Sequence, residues 1–174
     1  MDRSDGRLEI LLAKQEITEI IFRYCRGCDR VDEAALRACF HPDSVHAHGG
    51  FEGRSMDFVD LAMSIVKPLK SCSHMVTNVL IEVAGDRAVS EAHFLSHHRR
   101  LKQPGPGEED RFMKGRYLDR FERRGGVWKI ASRTGLLDFE RILEPADRTL
   151  AAAPARQLGR RAPDDLIYAM LAGL

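Results

Sequence analysis

The chain has 174 residues, a length that suits one domain with room for a core and a cavity. Its 27 Lys and Arg nearly balance 26 Asp and Glu, and a formal net charge of +1 gives no general reason to expect nucleic acid or an anionic membrane as partner. The polar opening MDRSDGR does not resemble a signal peptide, no apolar run nears the length of a membrane span, and with four cysteines the expectation is a reduced, cytoplasmic protein.

In chain order, the first seven residues are polar and predicted to be loose. Ile10, Ile17, Ile20, Ile21, Tyr24 and Cys28 recur at helical spacing, so a first helix is expected from about Leu8 to about Asp29, with Gly27 where it would weaken or stop. Asp32 is placed to cap a second helix, Glu33 to Phe40, which buries Leu36, Cys39 and Phe40 and is ended by Pro42. Ser44 to His48 alternates and runs into Gly49-Gly50, which reads as a short strand and a turn. Ser55 can cap a third helix with Phe58, Leu61, Ala62, Ile65, Val66 and Leu69 on one face.

After Ser71 the period changes from helical to alternating. Strands are expected at His74 to Val83, Arg87 to Leu101, Arg111 to Glu122 and Val127 to Glu140. They are joined by turns at Gly85-Asp86, through the loop Gln103 to Asp110, and at Arg124-Gly125-Gly126. Helices first and a four-stranded meander later predict an α+β domain with helices on one face of a curved antiparallel sheet. Residues 1–142 form this domain in the sequence reading. Residues 143–174 form an extension, low in complexity from Ala151 to Arg161, with a last short helix from Pro163 that carries Leu166, Ile167, Met170 and Leu171.

Three residues could do chemistry together. Asp29 at a helix end and His74 at a strand opening can form a carboxylate–imidazole pair that accepts a proton, and Tyr24 could donate a hydrogen bond in the same cavity. The structural alternative stays open: Asp29 as a turn residue, His74 as a satisfied half-buried histidine, Tyr24 as core. Tyr24 and Asp29 are five apart, about 140° round an ideal helix, so both reach one cavity only if the helix loosens near Gly27 or the tyrosine leans across. Cys25-x-x-Cys28 lies near a helix C-terminus, where the dipole opposes a reactive thiolate, and its spacing with Cys39, His41, Cys72 and His74 matches no usual zinc finger. Buried small residues are the better account of the cysteines. His46 with His48, and His93 with His97, share strand faces, whereas His97 and His98 beside Arg99-Arg100 read as a strand running out into solvent.

The segments IFRYCRGCDRVDEAALRACFHPD, CSHMVTNVLIEVAGDRAVSEAHF and DRFERRGGVWKIASRTG resemble the SnoaL-like branch of the nuclear transport factor 2-like superfamily, over roughly Leu8 to Phe139. The resemblance implies a cone-shaped α+β barrel, a strongly curved, mainly antiparallel sheet wrapped around the N-terminal helices with an apolar cavity. Relatives include scytalone dehydratase, bile-acid 7α-dehydratase and hexachlorocyclohexane dehydrochlorinase. It implies the pairing of Asp29 with His74, a tyrosine matched by Tyr24, and an arginine matched by Arg133. Tyr24 stands where the dehydrochlorinase carries a lysine, so dehalogenation is not expected.

Strand alternation alone sets Arg133 with Lys129, opposite Trp128 and Ile130, as a solvated residue unless a bulge near Gly135 turns it inward. The expectation is a lyase or isomerase using an Asp29–His74 dyad on a small apolar hydroxylated or carbonyl compound, with no cofactor and no metal required. The alternatives are a ligand-binding or protein-association module and the small subunit of a ring-hydroxylating dioxygenase. A homodimer is expected, with a trimer as the alternative, and the last helix covers either the cavity mouth or a neighbouring subunit.

Overall fold

Ala13, Ile17, Ile20, Ile21, Tyr24, Cys25 and Cys28 are all buried, and their spacing of three and four residues puts them along one face of helix α1 (Arg3–Arg30). The computed structural model describes residues 3–147 and 152–174. Met1 and Asp2 of the N-terminal segment, and Ala151 of the low-complexity stretch, lie outside the described residues. The helix starts at Arg3 rather than Leu8, and Leu8, Ile10, Leu11 and Leu12 are exposed on it, so Ile10 is not part of the buried stripe.

The helix does not loosen at Gly27. A Cβ there would stand 3.0 Å from Cβ of Leu36, so glycine lets α2 (Glu33–Ala38) lie close against α1. The helix stops where the amide of Val31 donates to the Cys28 carbonyl and that of Asp32 to Gly27, with Val31 left-handed at φ 55. That conformation strains a β-branched residue, and it follows Asp29 by two positions. Asp32 then caps α2 by accepting from the Ala35 amide at 3.0 Å. α2 ends before Phe40 because the sheet captures the chain: the Cys39 carbonyl accepts from Ile130 at 2.9 Å and Phe40 pairs with Ile130.

The sheet has six strands in the order β2-β1-β6-β5-β4-β3: β1 (Phe40–His48), β2 (Phe51–Arg54), β3 (Ser71–Ala84), β4 (Arg87–Leu101), β5 (Glu108–Arg124) and β6 (Val127–Leu143). The expected meander is β3 to β6, all antiparallel, and β1 joins β6 in parallel. The strand β2 was not expected, and β1 begins four residues before Ser44, running through Pro42. That proline falls in the stretch between Phe40 and Val45 where the β1–β6 register shifts, so no regular ladder bond is lost there. Further register shifts fall between Thr77 and Leu80, between Lys114 and Gly115, and between Arg120 and Phe121. Such bulges bend strands and strengthen their twist. The sheet is open, edged by β2 and β3.

Helix α3 (Ser55–Val66) closes one side of the core with Phe58, Val59, Ala62, Met63 and Val66 buried. Ser55 does not cap it: Arg54 holds the cap position without a side-chain bond, and Ser55 Oγ is buried without a partner among the described residues. Beyond β6, a short turn of helix (Ala155–Gln157) and α4 (Leu166–Ala172) return to the end of α1. α4 starts at Leu166, capped by Asp165, rather than at Pro163. Arg161 donates to the carbonyl of Val66, the last residue of α3, and to that of Leu69 just beyond it, and Tyr168 donates its hydroxyl to Asp32 at 2.9 Å. No described helix is long and apolar enough to cross a membrane.

Candidate active site

Asp29 is the next-to-last residue of α1, and β3 crosses beside it with Cys72, His74 and Val76 facing the same way. The carboxylate grips residue 74 twice. Oδ1 lies 2.7 Å from His74 Nδ1, and Oδ2 accepts the His74 backbone N–H at 3.0 Å. The Cys72 thiol donates to Oδ1 at 3.5 Å. An ionised carboxylate only accepts, so the proton of a neutral His74 sits on Nδ1 and Nε2 is left as a free base. Both side chains are nearly covered, at 9% and 12% exposed.

His74 stands between two spaces. On one side is an open groove of about 410 Å³ lined by Phe22, Cys25, Arg26, Asp29 and Arg30, with Asp165 and Ile167 of the tail at its rim. On the other is an inner cavity of about 210 Å³, walled largely by aromatic and aliphatic side chains from α1, α3 and the sheet. Tyr24 lines the inner cavity and Asp29 the groove, as the helix angle between them requires; His74 lines both. Burial holds the Tyr24 phenol well above its ordinary value, so it stays a donor.

The inner cavity also holds histidines that strand reading undervalued. His98 is 8% exposed, not solvated; its Nε2 has no partner among the described residues, and its ring meets that of His74 edge-on at 5.7 Å. Burial, reinforced by the neighbouring His74, pushes His98 down to about 3. His48 lies in a stack with His46 and Phe58, and burial lowers it to about 4, with Arg133 adding to the effect. The His48 ring has room because residue 135 is glycine: a Cβ there would come within 2.6 Å of the imidazole. His93 and His97 do not line the cavity, and His97 instead pairs with Asp110 at 2.7 Å.

Arg133 corrects the solvated reading. It is 1% exposed, donating from Nε and Nη2 to the two carboxylate oxygens of Asp119 at 2.7 and 2.6 Å. Its guanidinium lies 4.0 Å from the Tyr24 ring centroid and 4.3 Å from that of Tyr117. Burial opposes the charge, but Asp119 outweighs it and holds the arginine well above its ordinary value. The parity reading failed because the bulge falls at Ala131, between the pairs Phe121–Ile130 and Arg120–Ser132, and not near Gly135. One extra residue puts Arg133 on the same side as Trp128 and Ile130. It sits behind the aromatic wall and is not among the residues lining the cavity. Asp119, its partner, went unnoticed in sequence, although Tyr117, Asp119 and Phe121 alternate inward along β5. Cys25, Cys28, Cys39 and Cys72 are free and buried.

The SnoaL-like domain family profile matches residues 9–134. The chain belongs to the SnoaL-like family. Comparison with curated proteins found no match. Among solved structures this SnoaL-like chain is similar to hexachlorocyclohexane dehydrochlorinase LinA-type3 from Novosphingobium barchaimii LL02, at TM-score 0.71 and 20% identity over 81% of this chain and 99% of that one. A candidate scytalone dehydratase from Novosphingobium aromaticivorans DSM 12444 matches at TM-score 0.66 and 23% identity, over 79% and 95% of the two chains. An NTF2-like protein with a cystatin-like fold, from the same genus and species, matches at 0.61 and 24%, over 79% and 90%. These likenesses establish the α+β, NTF2-like fold of the SnoaL-like chain.

Proposed function

We propose that this SnoaL-like protein is a lyase or isomerase working by proton transfer, with His74 as base and Asp29 as the group that orients it. The observation that carries the reading is the double grip of Asp29 on residue 74, which fixes the tautomer and leaves Nε2 as the free nitrogen of a ring that lines a mostly apolar cavity. His74 Nε2 takes the proton α to a carbonyl, and Asp29 stabilises the imidazolium that results. The Tyr24 hydroxyl donates to the developing oxyanion or to the leaving hydroxyl. Arg133 acts through Tyr24, holding its ring in place from behind.

The substrate class proposed is a compact hydroxylated or carbonyl-bearing apolar molecule. The cavity volume of about 210 Å³ favours a small polyketide-type skeleton over a steroid, since ligand pockets commonly begin at about 300 Å³. Residues 143–174 are proposed as an extension that braces the end of α1 beside the dyad. A homodimer through the outer face of the sheet, where Met75, Leu80 and Val89 are exposed, is proposed as the assembly.

The deciding experiment screens wild type, Asp29→Asn and His74→Ala against hydroxy-ketone polyketides and steroids, following new conjugation by ultraviolet absorbance. Turnover by wild type that both variants lose at unchanged melting temperature is the expected result. Saturable binding equal in all three, without turnover, would move the protein to the ligand-binding class.

A further inference from the structure

Cys72 and His74 alternate on β3 and so point to the same side, and His98 on β4 is the direct cross-strand partner of Cys72. A thiol and two imidazoles are thereby gathered on one patch of two adjacent strands. One ligand atom from each lies within 4.8 Å of the others. We propose that Cys72, His74 and His98 form a binding site for a borderline-soft divalent cation of the zinc class.

Four observations support this. His98 Nε2 is buried, lacks a partner among the described residues and belongs to a ring lining the same cavity as His74. His74 has Nδ1 held by Asp29 at 2.7 Å, so the nitrogen left for a metal is Nε2. A carboxylate on the far nitrogen is the arrangement that fixes the tautomer of metal-bound histidines and raises their basicity. The charges also close: a Cys72 thiolate, the Asp29 carboxylate and a divalent ion sum to zero, which suits a site as covered as this one.

The donor set of one thiolate and two imidazoles is one that zinc uses with a fourth position open, and that position would face the cavity. Bonds of about 2.0–2.3 Å place ligand atoms roughly 3.5 Å apart, and Cys72 Sγ, which rests 3.9 Å from His74 Nδ1, swings toward Nε2 on binding. The thiol proton leaves to solvent as the metal–sulfur bond forms. A metal here occupies the nitrogen assigned above as the base, so it would inhibit the proposed reaction. That consequence rests on the acid–base reading; the site itself does not.

The test uses the full metal-free chain and cobalt(II) as a spectroscopic probe. Expected are one ion per chain, visible bands of a tetrahedral site, a near-ultraviolet thiolate-to-cobalt band, and displacement by zinc. Cys72→Ser should abolish the near-ultraviolet band, His98→Gln should weaken binding at least ten-fold, and Asp29→Asn should weaken it about 10–100-fold. X-ray absorption at the zinc edge of the wild-type chain needs no variant and should find one sulfur with two imidazole nitrogens. Absence of binding overturns the proposal, as does a thiolate band that survives Cys72→Ser, unchanged affinity in His98→Gln, or a zinc shell with no sulfur or more than one. None of these readouts depends on turnover.

Discussion

Two carboxylate pairs lie within the core, and they are built differently. Arg133 and Asp119 are both completely covered, joined by two parallel hydrogen bonds, and enclosed between tyrosine rings away from the cavity. Asp29 and His74 are slightly open, joined ring to carboxylate and backbone to carboxylate, with one ring nitrogen uncommitted. The closed pair turns two guanidinium nitrogens on its own carboxylate, seals Nη1 behind the tyrosine rings without a partner among the described residues, and holds the aromatic wall. The open pair keeps one nitrogen in reserve at a surface where a ligand can reach it. The pairs differ in what each leaves over: a guanidinium nitrogen sealed behind tyrosine rings in one, and a nitrogen of a cavity-lining imidazole in the other.

The comparison can be broken from either side. Asp29→Asn and His74→Ala should each lower kcat/KM by about 10²–10⁴-fold, the usual worth of a positioned base. Asp29→Asn keeps an acceptor for the His74 amide, so its melting temperature should hold; a large drop would make the open pair structural too. Asp119→Asn should do the reverse, costing about 3–5 kcal/mol in denaturant unfolding because it leaves a buried guanidinium uncompensated. Undiminished stability in that variant would mean the guanidinium had found another counter-charge, and the contrast between the pairs would fail.

Gly135→Ala probes the wall between them. A Cβ there meets the His48 ring at 2.6 Å, so the imidazole must move into the cavity at a cost of about 1–3 kcal/mol. Ligand affinity should fall more than stability does. The smallest effect belongs to a third pair, Arg99 with Asp110, bonded at 2.8 Å through both oxygens. The Arg99 guanidinium, helped by His97, holds Asp110 down to about 2, against about 3.9 in an unfolded chain. A depressed carboxylate contributes stability above its unfolded value and loses it as pH falls through the folded one. The advantage of wild type over Asp110→Asn in thermal melts should therefore be full at pH 5 and shrink between about pH 4 and 2. A difference that ignored pH would show the pair to be idle.

Much of this was legible in the sequence because it depends on local period. The apolar stripe of α1, the change of period after Ser71 and the Gly-rich turns place every long element, and Asp29 follows as a helix end, whereas β3 opens at Ser71 and His74 is its fourth residue. Arg133 was not legible, because one bulge residue at Ala131 inverts the parity of everything after it, and nothing in that residue announces a bulge. His98 was available but passed over: it continues the inward series Ala92, Phe94 and Ser96, and only the charged neighbours Arg99 and Arg100 argued for solvent. β2 was missed because Phe51-Glu-Gly-Arg54 has one apolar residue and a glycine, and its pairing with β1 rather than its own pattern makes it a strand.

The second bond of Asp29, to the main chain of His74, has a consequence apart from chemistry. β3 is an edge strand, and its outward N–H groups are a template on which another chain could lay a strand. The Asp29 carboxylate occupies one of them with a charge, at the place where α1 lies against that edge. The residue proposed to orient the base also bars the sheet from growing there, and Asp29→Ala, unlike Asp29→Asn, should make the protein more prone to aggregate.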